Sequence, residues 1–202
     1  VFVYGKRVGD FHVLNSNRII PVNVAAIQEI DRRVVSHFTG SHSSFPIDET
    51  IDYSTKIGKI VVSTGNYKIN HNGTEYIGQN AIMIDHATPQ FELSNADNQK
   101  SAIGVISRVN DDTSILINTS GEGSIWVCSY GGNLENGDYI QSSDVLGMGE
   151  KQDSEFLANY TVAKITCNCD FDLNSTKYDC FEINNNGTVY RKAFVGCTYH
   201  CG

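Results

Sequence analysis

Five of the six cysteines fall between Cys167 and Cys201, and thiols are the most reactive groups this chain carries. Cys167-x-Cys169 and Cys197-x3-Cys201, with His200 beside the second pair, have the separated-pair format in which zinc takes thiolates. The spacing departs from the usual Cys-x2-Cys, and Cys167 and Cys169 fall at a strand end, where alternate residues share a face. An even count in a loop-rich chain also suits disulfides, with Cys128, Cys167, Cys169, Cys180, Cys197 and Cys201 all candidates and their connectivity open. Buried free thiols are the third reading. The run "DFDLNSTKYD" (Asp170 to Asp179) sets oxygen ligands at alternate positions, as a calcium loop does. It lacks the central glycine and the distal glutamate, so a solvated turn is expected. No metal and no cofactor are expected. The histidines are scattered, with no nucleophile–base order among them. The 10 tyrosines suit a β scaffold, where rings fill cores and interfaces or stack on sugars.

Short strands must hold these groups. From residue 51 onward the chain is a series of β-branched or aromatic segments separated by Gly and Asn turns. "NHNGT" and "NNGT" each carry the Asn-Gly signature of a two-residue hairpin. "GKIVVST" and "GDYIQSS" echo each other, as a duplicated β unit or convergent turn chemistry would make them, and turn chemistry is the expectation. Upstream, "IPVNVAAIQEIDRRVVSHF" reads as one amphipathic helix with Pro21 at its start. Ile20, Ile27 and Val34 sit seven apart, and Asn23, Ile30 and His37 fill the second seam position. That stripe is a short coiled-coil seam, and Ile20, Asn23, Ile27, Ile30 and Val34 are its expected interface. The polar run "TGSHSSFPIDET" reads as a linker. The expected organisation is an arm and helix over 1–40, a linker over 41–50 and a β domain over 51–202.

The chain's 202 residues carry a net charge of −8, with only 15 Lys and Arg. Nothing in that balance suits a phosphate backbone or an anionic membrane, so neither nucleic acid nor membrane is an expected partner.

The stretch "GSIWVCSYGGNLENGDYIQSS" reads as strand, loop and strand. Ile125 and Val127 face one way; Trp126, Cys128 and Tyr130 face the other. It has no lysine followed by a helix, so it is no phosphate loop. "GEGSIWVCSYGGNLENGDYIQSSDVLGMGEKQ" followed by "NYTVAKITCNCDFDL" resembles the intramolecular-chaperone autoproteolytic cleavage domain. That domain ends phage tail appendages and the fibre or spike proteins of large DNA viruses. "STGNY" (Ser63 to Tyr67), "IGVIS" (Ile103 to Ser107) and the "NVAAIQEIDRRV" helix extend the likeness across about Asn23 to Leu173.

The resemblance implies a homotrimeric module that brings fibre chains into register and, in some members, cuts itself free as a glutamic peptidase. Carried over residue by residue, Asp52-Tyr53 matches the family's Asp-Tyr element, Ser43 and Ser44 lie near the scissile position, and Glu92 is the candidate second carboxylate, with Asp48 and Glu49 as nearer alternatives. His42 stands where an Asn precedes the family's Ser, and Ser54 and Thr55 replace the acid expected after Asp-Tyr. Both departures put self-cleavage in doubt.

The expected fold is mainly β, an antiparallel sandwich or barrel with one N-terminal helix at a three-fold interface. The expected function is structural: a C-terminal domain of a viral fibre, spike or capsid-surface protein that promotes trimerisation and caps the assembly. Its partners are sister copies, other virion proteins or a host surface glycan, and its location is the virion surface or the extracellular space. The alternatives are a carbohydrate-binding surface module for host attachment and a single-event self-cleaving chaperone.

Overall fold

The computed structural model describes residues 23–28, 40–71, 74–78, 88–110, 114–185 and 187–201. The chain forms two compact units, Val1–His37 and Phe38–Gly202. In the first unit residues 23–28 are helical, and all six are exposed. Asn23 and Ile27 of the expected seam lie on this helix, with Ile27 64% exposed. Ile20, Ile30, Val34 and His37 lie outside the described residues.

The second unit is mainly β, as the run of short β-branched segments implies. Its first sheet contains β1 (Ser41–Pro46), β2 (Ile60–His71), β3 (Thr74–Gly78), β4 (Thr88–Leu93), β5 (Ala102–Val109) and β6 (Ile115–Asn118). Their order is β3-β2-β4-β1-β6-β5, and β2 also pairs with β5. That last pairing closes five of the strands into a barrel and leaves β3 outside as a hairpin extension. The second sheet contains β7 (Ser120–Cys128), β8 (Tyr139–Ser142), β9 (Gly149–Lys151), β10 (Ala163–Ile165), β11 (Asp179–Asn185) and β12 (Thr188–His200). Its order is β10-β8-β9-β7-β12-β11, closed in the same way by a β10–β12 pairing. The ladders are antiparallel except β1–β4 and β7–β9, which run parallel.

Both Asn-Gly signals are flanked by paired strand residues. His71 pairs with Thr74, and Asn185 pairs with Thr188. The two echoing segments take equivalent places in the two barrels: β2 lies between β4 and β5, and β8 between β9 and β10. Each barrel also carries its one parallel pair at the same position, β1–β4 and β7–β9, so the echo falls on a repeated β unit.

One boundary needs correcting. The expected linker over 41–50 contains β1, which lies inside the first barrel between β4 and β6. Ser41 to Ser44 pair with Asn118 to Ile115, and Phe45 and Pro46 run alongside Gln90 and Phe91. Small polar residues have little strand preference of their own; here the two flanking strands supply the ladder.

Alternation sorts the side chains. Val61, Phe91, Leu93, Ile106, Ile115 and Ile117 fill the first barrel, and Tyr53 closes it. Ile125, Val127, Ile140, Ile165, Val195 and Phe171 fill the second. Ile60 and Val105 turn outward from the first barrel and join the second core. Full burial of each such side chain stabilises the fold by about 1.5–3 kcal/mol, so this shared layer binds the barrels together.

Candidate functional site

The segment implicated in cleavage sits on the first barrel. Asp52 caps the 3-10 turn Tyr53–Lys56: its Oδ1 accepts from Ser54 N at 3.0 Å and from Ser54 Oγ at 2.6 Å. Those hydrogen bonds favour the carboxylate and hold its pKa below the ordinary value. Tyr53 is buried edge-on against Phe91, with ring centroids 5.4 Å apart. Burial, and then the nearby charges of Asp48 and Glu92, raise its phenol. Ser43 pairs with Leu116 and is exposed. Ser44 pairs with Ile115, is 2% exposed, and its hydroxyl has no hydrogen-bond partner among the described residues. Glu92 pairs with Val62 and is half-buried. Thus Glu92 is brought towards Tyr53, while neither carboxylate hydrogen-bonds a serine hydroxyl at Ser44. A serine acts as a nucleophile when a base takes its proton, and among the described residues no base hydrogen-bonds the Ser44 hydroxyl.

The turn over Asp170 to Asp179 forms one wall of a polar cleft of about 600 Å3, with Asn133, Leu134 and Glu135 on the opposite side. Its acids are used within the turn. Asp170 Oδ1 accepts from Tyr178 Oη and from Asp172 N, and Asp172 Oδ1 accepts from Asn174 N at 3.0 Å. Burial, then the contact with Asp170, push the Tyr178 phenol up to about 12. Asn168 Oδ1 accepts from Asn136 N at 2.8 Å and ties the two walls together. Among the described residues no three His, Cys, Asp or Glu side chains converge to hold a metal.

All six cysteines are free thiols. Cys169 and Cys197 belong to the second core, and Cys167, Cys180 and Cys201 pack against it. Burial pushes the thiols of Cys197 and Cys201 up to about 12, so both stay protonated and unreactive at neutral pH. Cys128 lies under the outer face of the second barrel with Val145 and Met148.

The stretch around Trp126 is a strand followed by a turn, as expected. Ile125 and Val127 face the core, and Trp126 packs outward between Phe194 (4.9 Å) and Phe181 (6.0 Å). Trp126 Nε1 donates to Ile57 O at 3.1 Å, which fixes the indole against the first barrel.

Two features escaped the sequence. Phe156 and Leu157 are 80% and 61% exposed, on a loop whose conformation is set from inside. Buried Gln152 donates from Nε2 to Ser154 O (2.9 Å) and Phe156 O (2.8 Å), and accepts from Thr161 Oγ1 at 2.6 Å. Thr161 Oγ1 in turn accepts from Ala158 N at 2.9 Å. The second feature is Glu150, a buried carboxylate on β9. The one available signal was a Phe-Leu pair in an otherwise polar run, "DSEFLANYT", which has no period to read.

No known protein family, curated protein or solved structure matches the chain.

Proposed function

We propose that this chain is a structural module of a viral fibre, spike or capsid-surface protein, and that copies of it gather into a trimer at the virion surface. The observation that carries this reading is the Gln152–Thr161 clasp, which holds Phe156 and Leu157 out into solvent. A loop shaped by buried hydrogen bonds has given up its freedom in advance, so docking its apolar tip costs little further entropy. Large hydrophobic side chains held outward in a fixed shape mark association surfaces. On the helix of the first unit, Val24 and Ile27 are also exposed, which suits a seam shared between copies. Folding and association are then coupled by mass action.

The test is molar mass in solution by light scattering on the full chain and on Phe156→Ser/Leu157→Ser. The reading expects three times the chain mass for the parent, and a shift towards single chains in the variant. A parent that runs as a single chain at every concentration overturns it.

A further inference from the structure

Basic residues are the minority charge on this chain, at 15 against 23 acids. Three lysines nonetheless gather at one place on the second unit. Lys56 ends the 3-10 turn, Lys59 precedes β2, and Lys192 lies on β12. Lys59 Nζ donates to Leu146 O at 2.9 Å, and its stem runs along Gly147. Lys192 Nζ stands 4.7 Å from the Trp126 ring centroid and 5.5 Å from that of Phe181. Burial, then the ammonium groups of Lys192 and Lys56, pull the Lys59 amine down to about 8. Among the described residues no carboxylate makes an ion pair with any of the three. Asp52, which caps its own turn, feels the charge of Lys56 without making an ion pair with it.

Cations held together repel one another, and a bound anion relieves that repulsion. The surface beside them is apolar and open. Phe181 and Leu146 are exposed, and Trp126 is half-buried between its neighbours. A free inorganic anion would use the lysines and leave the aromatic surface idle. An anionic group carried on a ring with an apolar face uses both, because C–H faces of sugars pack on aromatic rings.

We infer that Lys56, Lys59 and Lys192, with Trp126 and Phe181, form a binding site for an acidic oligosaccharide. The sugar carboxylate sits among the ammonium groups and a ring face lies against Phe181. The site shares no residue with the Phe156–Leu157 loop, so it stands or falls separately from the assembly reading.

Trp126 is the only tryptophan in the chain and sits in the site, so its emission reports binding directly. The full chain is titrated with a tetrasaccharide of alternating glucuronate and N-acetylglucosamine. A neutral N-acetylglucosamine tetrasaccharide and sodium sulfate at matched ionic strength are the controls. The expected result is a saturable change with the acidic sugar alone, weakened about five- to tenfold in Lys192→Gln and in Lys56→Gln. Phe181→Ala should weaken it as well. Unchanged circular dichroism keeps these surface variants interpretable. No saturable change with the acidic sugar, an equal response to the neutral sugar, or an equal response to sulfate overturns the assignment.

Discussion

Gln141 and Glu150 face each other across the β8–β9 ladder, and Gln141 Nε2 donates to Glu150 Oε1 at 2.9 Å. This one hydrogen bond is the charged oxygen's help in a buried place, for Glu150 is 8% exposed. Burial raises its pKa to about 7, and the charges of Asp97, Asp144 and Asp153 add to the rise while Gln141 opposes it. The folded value lies above the unfolded one, so the folded state holds the proton more tightly. The stability from this group is complete below the ordinary value of 4.5 and is lost as pH rises through about 7.

Glu150→Gln should therefore stabilise the chain above about pH 8, by at most about 3 kcal/mol. The amide oxygen still accepts from Gln141, so the hydrogen bond survives. Near pH 4 parent and variant should melt together. Thermal melts across that range check it, and a constant difference at all pH values would contradict the argument.

Gly58 allows the barrels to meet at Trp126. A Cβ there would lie 2.4 Å from Phe194 Cε2 and 2.9 Å from Trp126 Cδ1, and its φ is +82°. Gly58→Ala should cost about 2 kcal/mol or more, from overpacking and from the left-handed backbone together. The indole must shift, so Trp126 emission should move to the red as the melting temperature falls.

Ser44 presents the opposite case. Its buried hydroxyl has no partner among the described residues. Ser44→Ala removes that desolvated group and almost no volume, and should raise stability by about 1 kcal/mol. Chemical denaturation measures this, and a loss of stability would mean that the hydroxyl is satisfied in solution.

These sites show which parts of the structure the sequence made legible. Asn-Gly at 72–73 and 186–187 announced both hairpins, because that dipeptide adopts the backbone a two-residue turn needs. Alternation put Ile125 and Val127 on one face of β7, and in the structure that face is the core while Trp126 packs outside it. The strands β1, β4 and β9 were illegible for a shared reason. β1 is rich in serine, β4 holds Pro89, and β9 is three residues long. Each is a strand because barrel closure gives it two flanking partners, and no local pattern records that. The Gln152–Thr161 clasp was hidden for a related reason. Its hydrogen bonds join nine-residue neighbours inside an irregular loop, where polar residues carry no period.

That clasp allows a direct test of how the loop works. Gln152 is buried, so it touches no partner molecule, yet it fixes the backbone at Ser154 and Phe156. Gln152→Ala leaves Phe156 and Leu157 in the sequence but frees the loop that presents them. If preorganisation contributes to association, the variant must pay the ordering entropy on docking and should associate about tenfold more weakly. It should also lose about 1–3 kcal/mol of stability, because the Thr161 hydroxyl and two carbonyls lose their partner. Gln152→Glu separates the two effects. It keeps the acceptor for Thr161 and removes the donor that holds the loop carbonyls, so association should weaken there too. Light scattering against concentration reads the association, and melts read the stability. Association unchanged in both variants would show that the loop's shape has no part in assembly.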